Sequence, residues 1–361
     1  MATPRSVLSS TVIALSLFSL VACAQTPVGA ETATPTATTS STASADPASD
    51  EPTVPDQVFG GDCAAVLSVD DAGTVLGTAA SAQSVMASLL PFSQSARDVG
   101  GLNCGWDSAD ESVPAGLRVT ILPAEAVGEQ AVTEDNYCDV LPGEGECLFS
   151  VVEQGWWFSG TMLPLTTSSV DTINAQVGTL TSLFVTAASA AESADDFAPA
   201  TPLDGEWSGD VDCSALAQVV DAAALLNQPG VTLAADAPVG AIEAPPGYFA
   251  AGDAAGFTGC TWFGSAGDGG TESQGIFAYY LAGGSWIEAE VAALPGAQEL
   301  SGDGIDRAYL VTDPALSAGR AGVLHVFDGV NWLAITGGPA SIDESYLPFA
   351  SALIAERNTA N

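Results

Sequence analysis

Lysine is absent from the 361 residues, histidine occurs once, at His325, and six arginines make up the whole basic complement. Against them stand 44 Asp and Glu, for a formal net charge of −38. Without clustered Lys or Arg the chain cannot neutralise a phosphate backbone, which argues against nucleic acid as a partner. The missing lysine excludes a Schiff base, a P-loop lysine and Ser–Lys hydrolysis, and a single imidazole cannot furnish a histidine-rich metal centre. A Gly-x-Ser-x-Gly elbow is lacking as well: Gly264-Ser-Ala-Gly267 has the wrong spacing and reads as a turn.

What is present begins with a targeting segment. Arg5 precedes an apolar run from Ser6 to Val21, about 16 residues and short of the roughly 20 a spanning helix needs. The run closes on Leu20-Val21-Ala22-Cys23, which resembles a bacterial lipobox, so residues 1–22 are read as a lipoprotein signal peptide and Cys23 as the lipidated residue. Two or more acyl chains anchor stably where one is marginal. From Ala24 to Val58 the chain is dominated by Thr, Ala, Ser and Pro, without aromatics, Leu or Ile. It cannot bury enough apolar surface to offset its ordering entropy, and residues 23–58 are expected to be a disordered tether.

With Cys23 set aside, six cysteines remain, an even number in an exported chain. Internal similarity selects among the fifteen pairings. The fifteen residues from Cys63 align without gaps on those from Cys213, with six identities, and end on Gly77 and Asn227, both tolerant of a left-handed helix stop. Cys104-Gly-Trp106 matches Cys260-Thr-Trp262, each followed by strand-like alternation at 117–122 and 276–281. Residues 147–157 match 322–332 as hairpins turning near Gln154-Gly155 and Asp328-Gly329. Ser168-x-x-Asp171 and Ser341-x-x-Glu344 each open a C-terminal helix.

The expectation is an α+β chain with two tandem copies of a helix–antiparallel sheet–helix domain, at 59–187 and 209–358, joined by a linker over 188–208. Each copy carries an internal disulfide, Cys63–Cys104 and Cys213–Cys260, and the first adds Cys138–Cys147.

A lipobox, a tether, an early Cys before a capped helix, then Cys-x-Trp and a hairpin resemble the small cysteine-paired lipoproteins exported by actinobacteria. Those are similar in turn to extracellular sensor domains of some mycobacterial serine/threonine kinases. Leu300-Ser-Gly-Asp-Gly-Ile-Asp-Arg-Ala-Tyr309 is similar to a Gly-x-Gly-Asp-x-Ala-Tyr segment common in those domains, and the first copy lacks it. The resemblance implies an α+β fold, export, and a binding or sensing role, with no catalytic residues attached to it.

Little else points to chemistry. His325 lies in a strand, at the position matched by Ser150, and reads as structural. The acidic glycine turns at Asp268 and Asp303–Asp306 could hold Ca²⁺ weakly, and Asp210-Val-Asp with Asp221 superficially echoes a calcium loop without its glycine. Trp106, Trp157, Trp262 and Trp332 recur in both copies and read as scaffold. Trp156 and Trp286 do not recur and are the candidate ligand contacts. The expected function is a lipid-anchored binding or sensing protein on the outer face of a Gram-positive cell membrane, with an envelope ligand or protein as partner. It is read as no enzyme, with no cofactor and no metal. The alternatives are a structural or assembly factor, or a carboxylate-based wall-glycan hydrolase. The groove between the two domains is the expected place for a ligand.

Overall fold

A computed structural model describes residues 53–83, 89–141, 144–164, 168–197, 202–209, 211–234, 245–265, 273–312, 322–337 and 342–360. The expected signal peptide, Cys23, most of the expected tether, Asp210, Asp268 and Ser341 lie outside the described residues. Residues 49–361 form one compact unit.

The first half runs α1 (Cys63–Val66), α2 (Val69–Leu76), β1 (Ala80–Gln83), α3 (Pro91–Asp98), β2 (Leu102–Ser108), β3 (Gly116–Pro123), α4 (Ala124–Val127), β4 (Glu134–Leu141), β5 (Glu144–Glu153), β6 (Trp156–Leu163) and α5 (Val170–Ala190). The second runs α6 (Cys213–Val219), α7 (Ala222–Leu225), β7 (Thr232–Leu233), α8 (Pro246–Ala254), β8 (Thr258–Ser265), β9 (Ser273–Leu281), α9 (Glu288–Ala292), β10 (Ala297–Leu300), β11 (Arg307–Val311), β12 (Val323–Asp328), β13 (Asn331–Gly337) and α10 (Leu347–Ala360). The fold is α+β with two antiparallel sheets. Their orders are β1-β2-β3-β6-β5-β4 and β7-β8-β9-β13-β12-β11-β10, the same path with one further edge strand in the second.

Local chemistry accounts for the helix ends. Asp62 and Asp212 cap α1 and α6 by accepting backbone N–H bonds, which places Cys63 and Cys213 at the first helical position. Between each cysteine and its helix stop the chain forms two short helices, because Ser68 and Asp221 cap a second one. Gly77 and Asn227 sit in the left-handed region, as expected of helix stops. The cap of α5 is Ser169, one residue beyond the expected Ser168, its oxygen accepting from the Thr172 N–H. At the other end, Asp343 caps a short 3-10 turn, and α10 begins only at Leu347. The hairpin turns fall where expected, with positive φ at Gln154, Gly155 and Gly329.

All three expected disulfides are present. Cys63–Cys104 ties α1 to β2 and Cys213–Cys260 ties α6 to β8, each with Cα atoms 5.6 Å apart, while Cys138–Cys147 crosses the β4–β5 pair. Each sheet buries one face against its own half's helices. On the first sheet that face holds Trp106, Val119, Phe149 and Phe158 against Val177, Leu180 and Phe184 of α5. On the second it holds Trp262, Tyr280 and Leu333 against Phe349, Leu353 and Ile354 of α10. The segment between the halves is packed at both ends: Phe197 meets Trp156 edge-on, and Trp207 meets Tyr280 in the same way.

The opposite faces of the sheets meet in a third core, and two helices not anticipated from the sequence fill it. Helix α3 packs on β9 and β13, and α8 packs on β3 and β6, so each half lends a helix to the other's sheet. Phe92 of α3 lies edge-on to Tyr279 at 5.1 Å. Gly247 of α8 donates its N–H to Ser159 Oγ at 2.9 Å. The seam is closed by Leu122, Trp157, Leu281, Ile287, Phe327 and Trp332, so the expected groove between halves is a packed interior.

The close approach of α8 gives a direct test of this exchange. A Cβ on Gly247 would lie 2.7 Å from Ser159 Cβ, whereas one on Gly178, in α5, meets nothing. Gly247→Ala should cost about 1–3 kcal/mol by overpacking. Gly178→Ala should raise stability by about 0.5–1 kcal/mol through helix propensity. Urea unfolding of the two variants checks both signs.

Candidate functional site

Neither candidate tryptophan is free to stack on a ligand. Trp156 is wholly buried, with its Nε1–H donated to the Glu192 carbonyl at 3.0 Å and its ring against Phe197. Trp286 is buried at the seam, and its surroundings form a polar cluster. Its Nε1–H donates to Asp98 Oδ1 at 2.8 Å, and the Arg97 guanidinium lies over its ring, 4.6 Å from the centroid. Arg97 in turn grips both carboxylate oxygens of Glu290, at 2.7 and 3.0 Å. Two adjacent residues at the end of α3 thus hold two residues around the start of α9, in the other half. Such a bidentate pair fixes orientation as well as contributing energy.

Burial pushes the Asp98 carboxyl up from 3.8 to about 7; the indole hydrogen bond works against that rise and the charge of Glu206 adds to it. Beyond Glu290, Glu288 pairs with Arg307 at 2.9 Å and accepts the Tyr309 hydroxyl at 3.0 Å, extending the polar chain onto β11.

His325 lies on the seam face of β12, 2% exposed and stacked on Trp332 with ring centroids 5.7 Å apart. Among the described residues, its Nδ1 has no hydrogen-bond partner, nor has Trp332 Nε1. At the matching place in the first half, Trp157 Nε1–H donates to Ser150 Oγ at 2.8 Å, and Ser150 donates to the Val132 carbonyl. Burial drives the His325 imidazole down from 6.5 to about 3. It is a core histidine, held neutral.

The Asp303–Asp306 turn is stitched to its neighbours. The Asp303 carbonyl accepts the Ser351 hydroxyl, and Asp306 Oδ2 accepts the Gly329 N–H at 3.0 Å. Among the described residues, no group of three or more His, Cys, Asp or Glu is placed to hold a metal ion. A cleft of about 730 Å³ opens where the chain enters the body, lined by Val54, Asp56, Gln57, Glu192, Asp196 and Phe197. A second, of about 410 Å³, runs beside α2 at Asp70, Gly73 and Gly77.

The sequence reading did not anticipate Arg97, Asp98 or Glu290. Arg97 is one of only six bases, which was the available signal; its partner lies 193 residues away and could not be read from spacing. No protein-family model, curated protein or solved structure matches the chain.

Because His325 is the sole histidine, its proton resonances are unambiguous. A proton taken up by the unfolded chain near pH 6.5 is refused by the folded one until about pH 3. Stability should therefore decline as pH falls through that window. NMR titration should find His325 neutral down to about pH 3 while the protein stays folded; a midpoint near 6.5 would contradict this placement.

Proposed function

We propose that the chain is a lipid-anchored binding or sensing lipoprotein, held by Cys23 on the outer face of a Gram-positive, actinobacterial-type cell membrane. Its ligand or partner belongs to the envelope. The observation that carries the export half of this reading is the consumption of all six cysteines after Cys23 in three disulfides, pairing that persists in oxidising compartments. The lipobox-like Leu20-Val21-Ala22-Cys23 and the Thr/Ala/Ser/Pro-rich stretch after it support the anchor and tether. The resemblance to cysteine-paired actinobacterial lipoproteins points the same way. Among the described residues no helix is long and apolar enough to cross a membrane.

The matching strand orders, the two equivalent disulfides and the reciprocal helices support an origin by tandem duplication. In such a pseudo-symmetric body, features present on one side only mark where the two halves differ. The Arg97–Glu290 and Asp98–Trp286 contacts are of that kind, which favours sensing over a purely structural role in the envelope. A wall-glycan hydrolase is the weaker reading, since nothing ranks two of the 44 carboxylates as a catalytic pair.

Metabolic labelling with an alkyne fatty acid tests the anchor. The natural chain should label and fractionate with membranes, and Cys23→Ala should lose both; unchanged labelling of the variant would remove the reading.

A further inference from the structure

The seam has two sides that can be compared within one molecule. Where α8 meets the first half, the polar contacts are a buried hydrogen bond from Gly247 N–H to Ser159 Oγ at 2.9 Å and an exposed one from Gln130 Nε2–H to Asp253 Oδ2 at 3.3 Å. Where α3 meets the second half, the contact is Arg97, Asp98, Trp286 and Glu290 together. The fold thus docks a helix on a sheet without a buried carboxyl on one side, yet places one there on the other.

The arrangement around Asp98 is unusual for a carboxyl. Arg97 is the neighbouring residue, yet its two terminal nitrogens are spent on Glu290. Among the described residues, the side-chain partner of Asp98 is the Trp286 indole alone. The other ionisable groups on the elements nearby are Glu290 on α9, Glu288 at its start with Arg307 and Tyr309 beyond, and Glu206 in the segment joining the halves, whose charge raises Asp98 further. Glu206 lies against the backbone at Gly283, three residues before Trp286, and accepts the Leu203 N–H. An ionised Asp98 therefore adds a negative charge to a crowded, partly dry site whose nearest cation already holds Glu290 through both terminal nitrogens, leaving only its Nε unpartnered among the described residues. Removing a charge from water without a dedicated partner costs several kcal/mol, which local opening to solvent relieves.

We propose that Asp98 is a pH-responsive latch: protonated, it lets α3 stay seated on the second sheet through Trp286, and ionised, it admits water and loosens α3 while α8 stays docked. A carboxyl favoured in its protonated form by the closed state contributes closure that is complete in acid and lost as pH rises through its closed-state value. Because burial raises that value from 3.8 to about 7, the loss of closure runs across that interval and levels just above neutrality. This inference concerns the folded body and does not depend on how the chain is anchored.

Hydrogen exchange of the intact protein, followed by mass spectrometry and corrected for intrinsic rates, reads the latch. Linkage between an open-state value of 3.8 and a closed-state value of about 7 gives an opening constant for residues 91–98 that rises about tenfold from pH 6 to 8 and then levels. Peptides from α8 should keep a flat profile. Asp98→Asn retains an oxygen to accept the indole N–H, and should hold α3 at its low-pH protection throughout. Trp286→Phe removes the bond that favours the carboxylate, so the midpoint should move to higher pH. The proposal is overturned if α3 protection is flat from pH 6 to 8, if α8 loosens in parallel, or if the midpoint stays put in Trp286→Phe. A fall in Asp98→Asn matching that of the natural chain would overturn it equally.

Discussion

The structure depends on the burial of two sheet faces against each other through exchanged helices. Each sheet has an outer face covered by its own helices and an inner face that those helices cannot reach. Helices α3 and α8 solve both problems at once, since each lies on the sheet of the other half. A fully buried large side chain contributes roughly 1.5–3 kcal/mol, so exposing Trp157, Leu281, Ile287, Phe327 and Trp332 would cost on the order of 10 kcal/mol. That rivals the net stability of an entire domain. Separation of the halves and unfolding of the body therefore become nearly the same event. What two tandem domains would offer as a ligand groove is spent as core.

The same constraint gives the few basic residues their meaning. With six arginines against 44 carboxylates, a cation placed indoors is a costly commitment. Arg97 spends its charge on the seam, where it orders Glu290 and covers Trp286. Arg118 pairs with Asp107 across β2 and β3, and Arg307 with Glu288. The buried polar residues follow a similar logic. Asn103 accepts from Thr120 and donates to the Ser93 carbonyl, which tethers α3 to its own sheet while Phe92 reaches the other.

Much of this was legible in the sequence where local chemistry decides. The cysteine pairings, the helix stops at Gly77 and Asn227, the hairpin turns and the alternating strands all depend on near neighbours or on internal matching, and they appear as read. The seam was not legible, for two reasons. Helices α3 and α8 are short, and neither buries a run of large apolar side chains: α3 buries Ser93, Gln94 and Ser95 alongside Ala96, and α8 buries Gly247, Ala250, Ala251 and Gly252. Pro91 and Pro246 at their starts, with Gly100 and Gly256 at their ends, were the available signals. The second reason is distance in the chain. A tryptophan without a counterpart in the other half suggested a ligand contact, but Trp286 is unmatched because it partners Asp98, and Trp156 because it anchors Phe197.

Calorimetry tests most directly whether the exchanged helices make the two halves one cooperative body. Heating the oxidised protein should give one transition whose calorimetric and van't Hoff enthalpies agree. For roughly 300 ordered residues that enthalpy is on the order of 200 kcal/mol near 60 °C. Two resolved transitions, or a van't Hoff enthalpy near half the calorimetric one, would mean that the halves unfold separately and that the seam does not bind them into a single unit.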